Sequence, residues 1–175
     1  VLFLTKPIGI GVLMTARKAE LLSAEGEALA VRLMTTLNKA AAEAMQPFEV
    51  HACTDVTGFS LMGHAVEMAE GSGVSLQIDV SHVDIIPEAI ELAKMGLLPE
   101  GMYRNRAFAE EKVDLGGFPL EVTDVLFDPQ TAGGLLIAVA EKDADALQAA
   151  LEGRVPSVQR IGIVVPLQEK LILLR

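Results

Sequence analysis

The sequence predicts an α+β fold: a layered α/β sandwich in which helices cover a mixed, largely antiparallel sheet. Three observations lead there. Apolar runs of strand length are interspersed with amphipathic stretches of helix length. Strand-like runs come in turn-linked pairs at both ends of the chain, as antiparallel neighbours do. Hydrophobic residues make up 51% of 175 residues, enough for a core without disulfides or metals, yet aromatics are only 4%. That core must be built from Leu, Val, Ile, Ala and Met.

Val1 to Lys6 reads as a strand and Gly9 to Thr15 as a second, joined by Pro7-Ile8-Gly9. A long helix is expected over 24–45, with Ser23 as N-cap and Glu25 and Glu27 at its positive end. Leu29, Leu33, Leu37, Ala41 and Ala44 form its apolar stripe, and Pro47 marks its end. Phe48 to Cys53 is a short strand. Thr54 to Gly58 turns into a helix over 59–70, with Phe59, Met62, Val66 and Ala69 inward and Ser60, His64 and Glu67 outward. Gly71 and Gly73 stop it. Val74 to Val80 alternates as a strand, and Pro87 to Met95 is a helix with proline at its start. Residues 96–119 show little periodicity and read as a long irregular segment. Val122 to Phe127 fits strand or helix, Asp128 to Gly134 is a turn, and Leu135 to Ala140 is a buried strand. Asp143 to Leu151 is a helix closed by Gly153. Val158–Val165 and Lys170–Leu174 suggest a closing hairpin around Pro166.

Fourteen Lys and Arg face 24 Asp and Glu, a net charge of -10, and the basic residues are scattered. Such a surface repels phosphate backbones and anionic membranes, so neither nucleic acid nor membrane is an expected partner. No apolar run is long enough to span a bilayer. The single cysteine, Cys53, excludes an internal disulfide and points to a reducing, cytoplasmic setting. The chain begins with Val1 directly inside an apolar run and without a secretory pattern. It reads as one domain over 1–175, the C-terminal part of a longer protein.

Several residues are candidates for chemistry, each beside a plainer role. Cys53, with His51 two residues earlier on one strand face, is a nucleophile or a packed small residue. His64 is a ligand or a solvated helix residue, and His82 carries no assignment. Asp55 follows a strand and precedes a helix start. It is either a hard oxygen ligand for magnesium beside free backbone N–H groups, or an Asx-turn that initiates the helix. In Tyr103-Arg104-Asn105-Arg106, two guanidinium groups flank an amide that suits phosphate, or pair with Glu110 and Glu111. Asp128-Pro129-Gln130-Thr131-Ala132-Gly133-Gly134 is an anion nest or a tight structural turn.

Three segments together carry a resemblance: Leu4-Thr5-Lys6-Pro7-Ile8-Gly9-Ile10-Gly11, then Ala52-Cys53-Thr54-Asp55-Val56-Thr57-Gly58-Phe59-Ser60-Leu61-Met62-Gly63-His64, then Phe127-Asp128-Pro129-Gln130-Thr131-Ala132-Gly133-Gly134-Leu135-Leu136. In this order and spacing the chain resembles the C-terminal half of the selenophosphate synthetases (selenide, water dikinases), relatives of aminoimidazole ribotide synthetase. The resemblance implies that the full-length protein uses ATP, Mg2+, selenide and water to make selenophosphate, AMP and phosphate. It places the catalytic Cys or selenocysteine, a Lys and most metal-binding aspartates in an N-terminal half absent here. No catalytic residue then falls in this chain, and Cys53 is not the family's nucleophile. Asp55 matches the one metal-binding aspartate of the C-terminal half. Lys6, Arg104, Asn105, Asp128, Gln130, Thr131, Gly133 and Gly134 become candidates for the phosphate or product path. The chain's own N-terminal domain and a second copy, in a homodimer, are the implied protein partners. Two departures stand out: Ser60 where the family usually has Gly, and Ala132 where it often has Ser. A related enzyme of the purine or thiamine-phosphate pathways, or a non-catalytic regulatory paralogue, is the alternative.

Overall fold

A computed structural model describes all residues 1–175. Its centre is a seven-stranded sheet: β1 (Leu2–Leu4), β2 (Val50–Asp55), β3 (Val74–Ile78), β4 (Val113–Asp114), β5 (Leu135–Val139), β6 (Gln159–Pro166) and β7 (Ile172–Leu174), in the order β2-β5-β1-β6-β3-β7-β4. Pairings from β2 through β3 are antiparallel, and β7 joins β3 and β4 in parallel. The mixed, largely antiparallel α+β architecture is therefore as expected.

Side-chain alternation divides two central strands between two cores. Leu2, Leu4, Leu136 and Ala138 enter a large cluster beneath α1 (Ile10–Lys18), α2 (Ala24–Thr35), α4 (Ser60–Ser72), α5 (Pro87–Lys94), α6 (Glu100–Ala109) and α7 (Leu120–Leu126). Phe3, Leu135, Ile137 and Val139 face the other way, onto α3 (Lys39–Met45) and α8 (Ala144–Leu151). Almost all of this interior is aliphatic.

Several elements differ from the sequence-based expectation. Gly9 to Thr15, expected as a strand, lies largely in α1. Its N-terminal amides are held by side chains from the far end of the chain: Gln130 Oε1 accepts from Gly9 and Ile10 N–H, and Asp128 Oδ2 from Gly11 N–H. The expected helix over 24–45 breaks between Thr35 and Lys39, because α2 must close over Lys6 while α3 crosses to the opposite face. Leu37 falls in the break and is exposed. Phe59, expected inward, is exposed, and Ser60, expected outward, is buried, because Ser60 takes φ 69° and reorients the first turn. Residues 96–119 contain α6 and β4 rather than an irregular segment, and 122–127 falls in α7 and its end. The closing hairpin does not form. β3 lies between β6 and β7, and their connection arches over Ser75, whose Oγ accepts from Gln168 N–H and donates to the Lys170 carbonyl.

Candidate functional site

The three motif segments, far apart in sequence, form one structure. β2 delivers the chain to Asp55 at its end, and residues 56–59 then turn into α4. This turn rests on the 128–134 segment. Val56 N–H donates to the Gly134 carbonyl at 2.8 Å and Gln130 N–H to the Thr57 carbonyl at 2.9 Å. A Cβ on Gly133 would collide with the Val56 carbonyl oxygen, and one on Gly134 would stand 2.5 Å from Lys6 N. These glycines serve close backbone packing. The first segment lies behind: Thr5 Oγ1 accepts from Leu135 N–H at 2.8 Å.

Beside the turn is an open cavity of about 710 Å³, lined among others by Thr57, Phe59, Arg104, Asn105, Phe108 and Pro129. Asn105 is buried, and its Nδ2 donates to the carbonyls of Gly58 (2.9 Å) and Phe127 (3.1 Å), fastening α6 to the turn. Phe59 and Phe108 stack, with centroids 5.8 Å apart and rings 11° from parallel, and both remain half exposed. Arg104 reaches outward and pairs with Glu100. Arg106 turns inward to Asp124 and lies over the Phe127 ring, tying α6 to α7. A second cavity, of about 450 Å³ and mostly apolar, opens where β2 begins and is lined by His51 but not by Cys53.

Asp55 is exposed at the end of an edge strand. No group of three or more His, Cys, Asp or Glu side chains converges to hold a metal ion in this chain. Asp55 is thus placed to offer one hard oxygen ligand, and the rest would come from elsewhere.

Five other candidates are engaged in holding the fold. Lys6 is buried, and its Nζ donates to the carbonyls of Leu33, Thr36 and Ala132 at 3.0, 2.6 and 2.7 Å. All three ammonium protons are occupied. Burial also lowers its pKa. Asp128 is fully buried against the start of α1. Its Oδ2 accepts from Gly11 N–H and Gln130 Nε2, while Oδ1 has no partner. Burial pushes this carboxyl up to about 7, partly offset by those donors. Gln130 is committed to Gly9, Ile10 and Asp128. Gly133 and Gly134 are buried, whereas Thr131 is exposed on the same loop.

Cys53 is exposed on β2. Desolvation by its surroundings, and then the Asp55 carboxylate, push its thiol up, which disfavours the nucleophilic thiolate. His64 sits on α4 with both ring nitrogens engaged: Nε2 is 3.2 Å from Thr57 Oγ1 and Nδ1 is 3.2 Å from Glu67 Oε2. The Phe59 ring meets it edge-on at 5.8 Å. Helical periodicity put His64 and Glu67 on one face, but the link to Thr57 depends on the turn. The Phe59–Phe108 stack also escaped the sequence, since an exposed aromatic looks like a core residue in a periodic pattern.

The model of the family described as AIR synthase related protein, C-terminal domain, matches residues 1–173. Selenide, water dikinase 2 of Peptoclostridium acidaminophilum is 45% identical over 174 residues, covering 94% of this chain and 50% of the relative. Selenide, water dikinase of Caldanaerobacter subterraneus subsp. tengcongensis is 52% identical over 147 residues, covering 84% and 43%. The chain spans about half the length of these relatives. Thiamine-monophosphate kinase from Stenotrophomonas maltophilia shares the fold at TM-score 0.68 and 18% identity, over 99% of this chain and 49% of its own. The hydrogenase maturation protein HypE of E. coli does so at TM-score 0.68 and 18% identity, over 99% and 45%.

Proposed function

The chain belongs to the family of AIR synthase related C-terminal domains, and from that premise we propose that it is the C-terminal half of a selenide, water dikinase. The full-length enzyme would convert selenide, ATP and water into selenophosphate, AMP and phosphate. The observation that carries this reading is the convergence of the three motif segments on the turn that follows Asp55 at the end of β2, a turn whose residues 57–59 line the cavity. Identities of 45% and 52% to selenide, water dikinases support the choice of acceptor.

Cleaving two phosphoanhydride bonds calls for divalent ions that neutralise phosphate charge. Asp55 fits Mg2+: an exposed carboxylate is the hard oxygen donor this ion takes. Further ligands would come from an N-terminal domain. Arg104 and Thr131 are the remaining candidates for phosphate or product contacts, because both amide protons of Asn105 are already given to Gly58 and Phe127. Lys6, Asp128, Gln130, Gly133 and Gly134 are proposed to act one step back, by holding the turn in place. A homodimer of two-domain subunits in the cytoplasm is the proposed setting. The exposed single thiol of Cys53 suits a reducing compartment. No helix is long and apolar enough to cross a membrane.

The test is ³¹P NMR of the full-length protein with MgATP and selenide, wild type against Asp55→Ala. A selenophosphate resonance with AMP and phosphate, lost in the variant, is the expected result. Turnover surviving the substitution would make Asp55 structural. No selenophosphate from wild type would point to another acceptor.

A further inference from the structure

We propose that Glu67, His64 and Thr57 form a proton relay that serves the water-consuming step, an inference that rests on the dikinase reading. A solvated histidine on a helix face needs no partner. Here the ring is only 12% exposed, and each nitrogen has its own partner at 3.2 Å. Glu67, one turn along α4, faces Nδ1 and favours the tautomer with its proton there. Nε2 is then a free base aimed at the Thr57 hydroxyl. Thr57 in turn lines the 710 Å³ cavity, two residues past Asp55. This is the order of parts in a nucleophile–base–orienter arrangement, with a hydroxyl at its open end. Phe59 closes a further side of the ring and limits its rotation.

The chemistry identifies the step. Selenide is already an anion at neutral pH and needs no base. Water does. After one phosphoryl group has gone to selenium, a nucleoside diphosphate remains. As the water oxygen bonds to its terminal phosphorus, the water gives a proton to Thr57 Oγ1, and the Thr57 hydroxyl proton passes to His64 Nε2. The bond from that phosphorus to the bridging oxygen breaks, the electron pair leaves with the mononucleotide, and inorganic phosphate is released. The proton held on His64 Nε2 then returns through the Thr57 hydroxyl to solvent in the open cavity, which leaves Nδ1–H on Glu67 and restores the bare Nε2. No oxidant or reductant is involved.

The experiment follows both products in the full-length enzyme by ³¹P NMR, for wild type, His64→Gln, Thr57→Val and Thr57→Ser. Loss of general-base assistance should slow AMP release roughly 10²-fold in His64→Gln and Thr57→Val. The diphosphate should accumulate, and the AMP-to-selenophosphate ratio should fall in early turnover. Thr57→Ser, which keeps the hydroxyl, should restore the ratio. ¹⁵N shifts of His64 in the wild type should show Nδ1 protonated and Nε2 bare. An unchanged ratio in both variants, whether turnover is normal or uniformly reduced, overturns the relay and leaves the dikinase reading intact. A resting Nε2–H tautomer overturns it independently of any variant's folding. Absence of selenophosphate in the wild type overturns the dikinase reading, and the relay with it.

Discussion

A buried carboxyl without a counter-charge leaves a mark on stability, and Asp128 is such a group. In the unfolded chain it ionises near the ordinary value of 3.8; in the fold burial raises it to about 7. Below 3.8 it is protonated in both states and no penalty exists. Between those limits only the unfolded chain ionises, so this group lowers stability as pH rises toward 7, and the full penalty persists above it. Asp128→Asn keeps the acceptor for Gly11 but cannot ionise. Denaturant unfolding from pH 4 to 8 should therefore show a downward contribution in the wild type that the variant lacks. Identical pH profiles would refute this. Ser60 offers a second test. It holds φ 69°, a left-handed conformation that costs a side-chain-bearing residue about 1 kcal/mol. Glycine would take this conformation without that cost. The Ser60 Oγ also accepts from Gly63 N–H. Ser60→Ala and Ser60→Gly both lose the hydroxyl, but only Ala retains the strain. Ser60→Gly should therefore be the more stable of the two by about 1 kcal/mol in chemical denaturation. Equal stabilities would remove the strain argument.

Elements show which information is local and which is not. β5 was legible because Leu135 to Val139 are all buried, which an unbroken apolar run reports directly. α5 was legible from Pro87 and its apolar spacing. The position of Asp55 between a strand end and a helix start was legible as well, since a strand, a Thr-Asp-x-Thr-Gly turn and a helix start appear in that order within one short stretch. α1 was not: Gly9-Ile10-Gly11-Val12 has little intrinsic helix preference, and its caps come from Asp128 and Gln130, more than a hundred residues away. α6 buries only a narrow face through Met102, Asn105 and Ala109, too weak a pattern to stand out among charged residues. The break after α2 was hidden because Leu37 extends the apolar stripe of a continuous helix. Its exposure in the structure yields a discriminating substitution. Leu37→Ala should change stability by less than about 0.5 kcal/mol. A stripe leucine in the core would cost about 2–5 kcal/mol, and a thermal or denaturant midpoint shift of that size would restore the single helix.

At the scale of the whole molecule, the sheet separates two jobs. Both of its faces are packed, by five longer helices and α7 on one side and by α3 and α8 on the other. The candidate chemistry gathers at one end of the edge strand β2, where Asp55 and the cavity are open to solvent. That end supplies little positive charge. Arg104 is paired with Glu100, Lys6 is committed to three carbonyls, and the chain carries a net charge of -10. A polyphosphate approaching such a surface meets repulsion unless metal ions intervene, and one carboxylate cannot hold several ions. On the proposed reading the domain is one wall of a site whose second wall would come from an N-terminal domain. Isothermal titration calorimetry of the 175-residue chain with MgATP should show affinity no tighter than the millimolar range, a binding free energy of about -4 kcal/mol. Micromolar affinity that is lost in Asp55→Ala would mean that the wall is itself a site, and that this chain holds its metal with ligands beyond the one carboxylate its geometry offers.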